Sequence, residues 1–182
     1  HCLKTILKYK KEKIVFETIS GDLEVTFEKE NYILNFPSRI PVKSNLPKAI
    51  KDALNIQPIE VLKSRDYVLV YKNQNEIMDI KINRSIFDQI NLNTGGVIVT
   101  AEGGSHDFVS RFFTPQATIL EDPVTGSAHC SLTPMWSKKL KKNKLFAKQL
   151  SKRTGELTCI NQGERVLIVG KAKTYTKGNL FI

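Results

Sequence analysis

A chain of 182 residues, 41% hydrophobic and 25% charged, has the make-up of one fair-sized globular domain, or of one domain with part of another, and excludes low-complexity or disordered organisation. Its apolar runs, such as GVIVTA and VLIVG, fall well short of the ~20 residues that cross a bilayer, so no membrane association is expected and the protein is read as cytoplasmic. The net charge of +10 gathers in two lysine runs, Lys8 to Lys13 and Lys138 to Lys144, without the interleaved aromatics that stack on bases; no nucleic-acid partner is expected, though the charge could steer an anionic small molecule.

In chain order, residues 14–36 alternate as half-buried strands broken by the turn Ser20-Gly21-Asp22, which predicts an antiparallel meander. FPSRIPVKSNLP carries Pro37, Pro41 and Pro47 and predicts an extended connector at a domain boundary. PKAIKDALN predicts a short helix, and IEVLKSR, DYVLVYK and EIMDIKI read as strands. RSIFDQINLN has helical spacing through Ile86, Phe87 and Ile90, and GVIVTAE and DFVSRFF read as strands. In DFVSRFF, Phe108, Ser110 and Phe112 share one face while Val109, Arg111 and Phe113 share the other. Residues 126–141 give the strongest helix, with Ala128, Leu132, Met135, Trp136 and Leu140 on one broad face and a kink expected at Pro134. LFAKQL, GELTCI, RVLIVGKAKTYT and NLFI close the chain as strands. Many antiparallel-looking strands with few helices indicate an α+β fold. Cys2, Cys130 and Cys159, an odd number with no metal-ligand spacing, predict reduced thiols and no metal site.

The segment that concentrates chemistry is EDPVTGSAH, Glu121 to His129. Pro123 keeps Asp122 out of the helical region, so its carboxylate stands on extended backbone before the helix begins. Thr125 and Ser127 are both cap-forming residues, and Gly126 between them lets a ligand approach the backbone. The first N–H groups of the helix, with its dipole, can receive a carboxylate or phosphate, and Asp122 is then placed to act as a base, an acid or an anchor for an ammonium group. The plainer alternative is that Thr125 or Ser127 only caps the helix. A Ser127–His129 nucleophile and base pair is excluded, because the two lie about 200° apart around a helix; His129 is read as a packing or surface residue.

DFVSRFFTP, EDPVTGSAHCSLTPMWSKKL and QLSKRTGELTC together resemble the phenazine-biosynthesis protein F-like isomerases, which include the animal phenazine-biosynthesis-like domain-containing proteins. The resemblance implies a diaminopimelate epimerase-like α+β fold: two lobes, each a curved antiparallel sheet around a central helix, with the active site between them. On that basis residues 1–36 are a remnant of the first lobe, 39–170 the second lobe, and 171–182 a final strand returning to the first. It also implies an isomerase that moves a proton on a small carboxylate-bearing, amino acid-like substrate without metal or pyridoxal cofactor; a homodimer is the assembly left open. Asp122 and Ser127 match the residues that act in catalysis, and Asp122, Thr125, Gly126 and Ser127 those that bind substrate. Thr125 stands where related racemases carry a reactive cysteine, so a thiol mechanism is not implied and Cys130 is expected to be buried. The family's glutamate in a Ser-Glu-Thr context and its Gly-His-Ala-Thr element are not in the chain, and by resemblance both would lie upstream of His1. A catalytically silent member that binds a protein or small ligand is the alternative.

Overall fold

The computed structural model describes residues 1–179. The alternating N-terminal segment forms β1 (Lys13–Thr18), β2 (Gly21–Glu28) and β3 (Asn31–Pro37), an antiparallel meander as its period of two dictates. Gly21 turns the first hairpin at φ +86°, a conformation that costs a residue without a side chain little. The proline-rich connector holds only the two-residue β4 (Val42–Lys43) and leads into α1 (Lys48–Ala53). Beyond it come β5 (Glu60–Lys63), β6 (Tyr67–Val70), α2 (Gln74–Asp79), α3 (Arg84–Phe87), β7 (Val97–Glu102) and β8 (Phe108–Phe113). The long helix α4 (Gly126–Leu140) is followed by β9 (Lys144–Gln149), β10 (Gly155–Asn161) and β11 (Arg165–Gly170).

One expected strand is a helix. EIMDIKI falls largely in α2, where the Asn73 side chain accepts the Glu76 N–H at 3.0 Å and the Glu76 carboxylate accepts the Lys72 N–H at 3.0 Å. Ile77 and Ile80, three residues apart, are both buried, so the apolar period that matters here is helical and not two.

All eleven strands join one sheet in the order β1-β2-β3-β11-β10-β9-β8-β7-β6-β5-β4. The sheet is mixed where an antiparallel one was expected: β6 pairs with β7, and β8 with β9, in parallel. Parallel neighbours need long crossovers, and the two that exist carry the helices, α2 and α3 in the first and α4 in the second. β3 pairs with β11 from Tyr32 opposite Gly170 to Pro37 opposite Arg165, so the sheet continues across the proline-rich connector. Residues 171–179 carry no strand, and 180–182 of the anticipated final strand lie outside the described residues.

The faces of the sheet carry separate cores. Phe108 and Phe112 of β8 point to α4, alongside Val68, Ile98, Leu145 and Ile168, while Val109 and Phe113 point to the core formed with α1, α2 and α3. α4 buries more than the expected stripe: Ala128 through Ser137 are all buried, including the polar His129, Ser131, Thr133 and Ser137. It is a central helix, packed on β9, β10 and β11 and touched from the other side by the turn between β5 and β6. Pro134 cannot donate to the Cys130 carbonyl one turn back, and the Arg39 N–H of the connector takes that carbonyl at 2.9 Å. Among the described residues no helix is long and apolar enough to cross a membrane.

Gly96 marks a tight junction between the turn after α3 and β8. A methyl group there would lie 2.4 Å from Phe112 Cζ and 2.8 Å from the Phe113 carbonyl oxygen. Gly96→Ala is expected to cost about 1–3 kcal/mol in urea unfolding, and an unchanged midpoint would show that the junction yields freely.

Candidate functional site

Two adjacent carboxylates enter the corner before α4, and the structure gives them different work. Glu121 is locked by Arg111, whose Nε and Nη2 donate to its two oxygens at 2.7 and 3.0 Å. The remaining Arg111 nitrogen donates to the Ile77 and Ile80 carbonyls at the end of α2, so Glu121 serves to fix the corner to the helical layer. Asp122 has no cationic partner among the described residues. Its N–H donates to the Phe112 carbonyl at 3.1 Å, and one carboxylate oxygen accepts the Thr125 hydroxyl at 2.5 Å.

That last bond decides the state of the helix terminus. Thr125 is the N-cap residue, yet its hydroxyl is turned back to Asp122 and no side chain caps the first turn. The plainer alternative, a capping Thr125, is therefore not what forms. The N-terminus of a fifteen-residue helix is left with N–H groups and a positive dipole end facing Gly126 and Ser127. An added Cβ at Gly126 would meet only Phe36 Cε2, at 3.9 Å, so the approach is open. Gly126 borders a cavity of about 350 Å³ whose walls are mainly apolar, Phe16, Leu34, Val124, Leu157 and Ile168 among them.

Two buried side chains hold this corner, and neither was singled out from the sequence. Gln149, fully buried on β9, accepts the Thr125 N–H at 2.8 Å and donates to the Asp122 carbonyl at 2.7 Å and the Thr125 hydroxyl at 3.1 Å. Ser151 adds a bond to the Pro123 carbonyl at 2.7 Å. The signal was available: Leu145, Ala147 and Gln149 alternate on one strand face, which places a glutamine at a core position. On the other side, Arg65 Nη2 donates to Ser127 Oγ at 3.0 Å and to the fully buried Asp66 carboxylate, which also accepts the Gly96 N–H at 2.8 Å. No hydrogen bond joins Asp122 to Ser127. The two flank the helix end, one fastened through Thr125 and Gln149, the other through Arg65.

The next residues of α4 are structural. His129 is fully buried, with Nδ1 2.7 Å from the Thr125 carbonyl and Nε2 without a partner, and burial lowers its pKa to about 4. Of the two readings left open by the sequence, packing or surface, it is the packing one. Burial pushes the Cys130 thiol up to about 11 against the pull of Arg39 and Arg65, which keeps it protonated and unreactive.

The family described as phenazine biosynthesis-like protein matches residues 1–178. The chain belongs to this family. It is 41% identical over 181 residues to an uncharacterized isomerase of Pseudomonas aeruginosa, covering 99% of the chain and 69% of that relative. A crystal structure of a phenazine biosynthesis protein of the PhzF family from Enterococcus faecalis superposes with a TM-score of 0.90 at 39% identity, over 100% of this chain and 69% of that one. A predicted epimerase of Pseudomonas aeruginosa, only 12% identical, superposes with a TM-score of 0.57 over 97% of this chain and 72% of its own, which speaks to the α+β, epimerase-like fold alone. The chain spans about two-thirds of the length of the curated relatives it matches.

Proposed function

We propose that the protein is an isomerase that moves a proton on a small, carboxylate-bearing, amino acid-like substrate without metal or organic cofactor, in a cleft of which α4 forms one wall. The observation that carries this reading is the Asp122 carboxylate, fastened by Thr125 at an uncapped helix N-terminus. The substrate carboxylate docks on the first N–H groups of α4 and on the Ser127 hydroxyl, beside the open face of Gly126. Asp122, with one oxygen engaged and the other without a partner among the described residues, orients the substrate or assists the transfer of its proton. Membership of a family whose relatives include proteins named isomerases supports the reading. The complementary group, a glutamate by resemblance, would face α4 from the part of the relatives that lies outside the match. Free, buried Cys130 and Cys159 suit a cytoplasmic setting.

The test is deuterium uptake in D2O. A protein with both lobes should exchange solvent deuterium into unsaturated amino acid-like acids, read by mass spectrometry. Asp122→Asn, which still accepts the Thr125 hydroxyl, should lower that rate by about 10²–10⁴ with unchanged unfolding. Equal rates in the variant would remove Asp122 from the chemistry, and no exchange by the unsubstituted protein would sink the proposal and favour a catalytically silent ligand-binding member.

A further inference from the structure

The geometry points to Arg65 as a positioning residue that makes Ser127 a hydrogen-bond donor toward a bound carboxylate; this rests on the N-terminus of α4 being a carboxylate site. Arg65 sits in the tight turn between β5 and β6. Its guanidinium is fixed by Asp66, whose carboxylate accepts Nε at 3.2 Å and Nη2 at 3.1 and 2.9 Å and is itself held by the Gly96 N–H at 2.8 Å. Ser64, one residue earlier, pairs its hydroxyl with that of Ser131 at 2.9 Å. Ser127 and Ser131 are one helical turn apart, so the turn Ser64–Asp66 lies along a single face of α4 with Arg65 at its N-terminal end.

The chemistry follows from what a guanidinium can do. It has five N–H donors and no acceptor, so the 3.0 Å contact assigns Ser127 Oγ as the acceptor. The hydroxyl proton must then point elsewhere, and Ser127 Oγ has no other partner among the described residues. A serine near a helix start otherwise turns its hydroxyl onto nearby backbone. Arg65 occupies the lone pair facing the turn and leaves the proton for an incoming acceptor, in the same quarter as the free N–H groups of α4. Because Asp66 neutralises Arg65, its contribution is directional and not a long-range attraction. Arg65 therefore acts on which ligand group is accepted, favouring a carboxylate oxygen, and not on how fast ligands arrive.

The alternative is that the contact only pins the turn to the helix, and a binding cycle separates the two. Benzoate and its neutral isostere benzamide are titrated into the 182-residue chain while the Gly126 and Ser127 amide signals are followed by NMR. Arg65→Met combined with Asp66→Asn removes both members of the ion pair, so no buried charge is stranded, and Asn can still accept the Gly96 N–H. Benzoate affinity is expected to fall about tenfold in this variant and in Ser127→Ala, with no further fall when all three changes are combined. Benzamide affinity is expected to fall less, because its carbonyl accepts only a neutral hydrogen bond from Ser127. Arg65→Lys, which keeps a cation opposite Asp66 but loses the fork, reads out the same loss should the paired variant fold poorly. Undiminished benzoate binding in these variants, losses that multiply in the combination, or equal losses for benzamide would overturn the role of Arg65 while leaving the site intact. Absence of any saturable benzoate shift at Gly126 and Ser127 in the unsubstituted chain would instead remove the carboxylate site itself, and the role of Arg65 with it.

Discussion

Gln149→Met should destabilise the protein by about 4 kcal/mol, because two buried backbone groups lose their partners at once. Methionine nearly matches glutamine in length and volume, so the change leaves little cavity and isolates the hydrogen bonds. What disappears is the acceptor for the Thr125 N–H and the donor to the Asp122 carbonyl, at 2.8 and 2.7 Å, together with the bond to the Thr125 hydroxyl. Each stranded group costs about 1–3 kcal/mol, since water has no path to a residue with no exposed surface. For a chain of this length the shift corresponds to a fall in Tm on the order of 10 °C. The local consequence reaches function. Thr125 freed from Gln149 can swing its hydroxyl onto the helix as an ordinary cap, abandoning Asp122 and blocking the anion site together. Calorimetry of the variant against the unsubstituted protein checks the first part, and a loss of less than about 1 kcal/mol would show that the corner does not depend on Gln149.

How much of this was legible in the sequence differs by element for physical reasons. Period-two alternation carried the position of β1–β3, and for β8 it carried facing as well, because one face of β8 meets the core with α4 and the other the core with the short helices. EIMDIKI misled because a six-residue helix shows less than two turns of periodicity; its Asn73–Glu76 capping pair was the better signal. Parallel pairing could not be read at all, since it depends on where crossovers return the chain and not on the strands themselves. At the candidate site, the corner that carries Asp122, Thr125, Gly126 and Ser127 was legible because proline, glycine and hydroxyl residues before an apolar helix specify it locally. The second layer was not. Arg65 and Gln149 come from 62 residues before Ser127 and 24 residues after Thr125, and only the folded sheet brings them there. Even the pair of carboxylates in EDPVTG divides only in three dimensions, when Arg111 claims Glu121 and leaves Asp122 to the Thr125 hydroxyl.

Acid should weaken the same corner through His129. Its folded pKa, depressed by complete burial, is about 4 against an ordinary 6.5, so the unfolded chain takes up a proton over a range in which the folded one does not. Above pH 6.5 both states hold a neutral ring and the full stability is present. As pH falls from 6.5 toward 4, uptake by the unfolded state removes stability, reaching about 3 kcal/mol at the lower end. The cause is visible in the bonding: Nδ1 meets the Thr125 carbonyl, and a proton on Nε2 would sit buried without an acceptor. His129→Gln keeps a donor for that carbonyl but cannot titrate, so the difference in unfolding free energy between the two proteins should change by about 3 kcal/mol across this window while carboxylate effects cancel. A difference that stays level with pH would place His129 in a solvated site instead. Since the carbonyl it holds belongs to the residue that also holds Asp122, loss of ligand binding should accompany the loss of stability and not precede it.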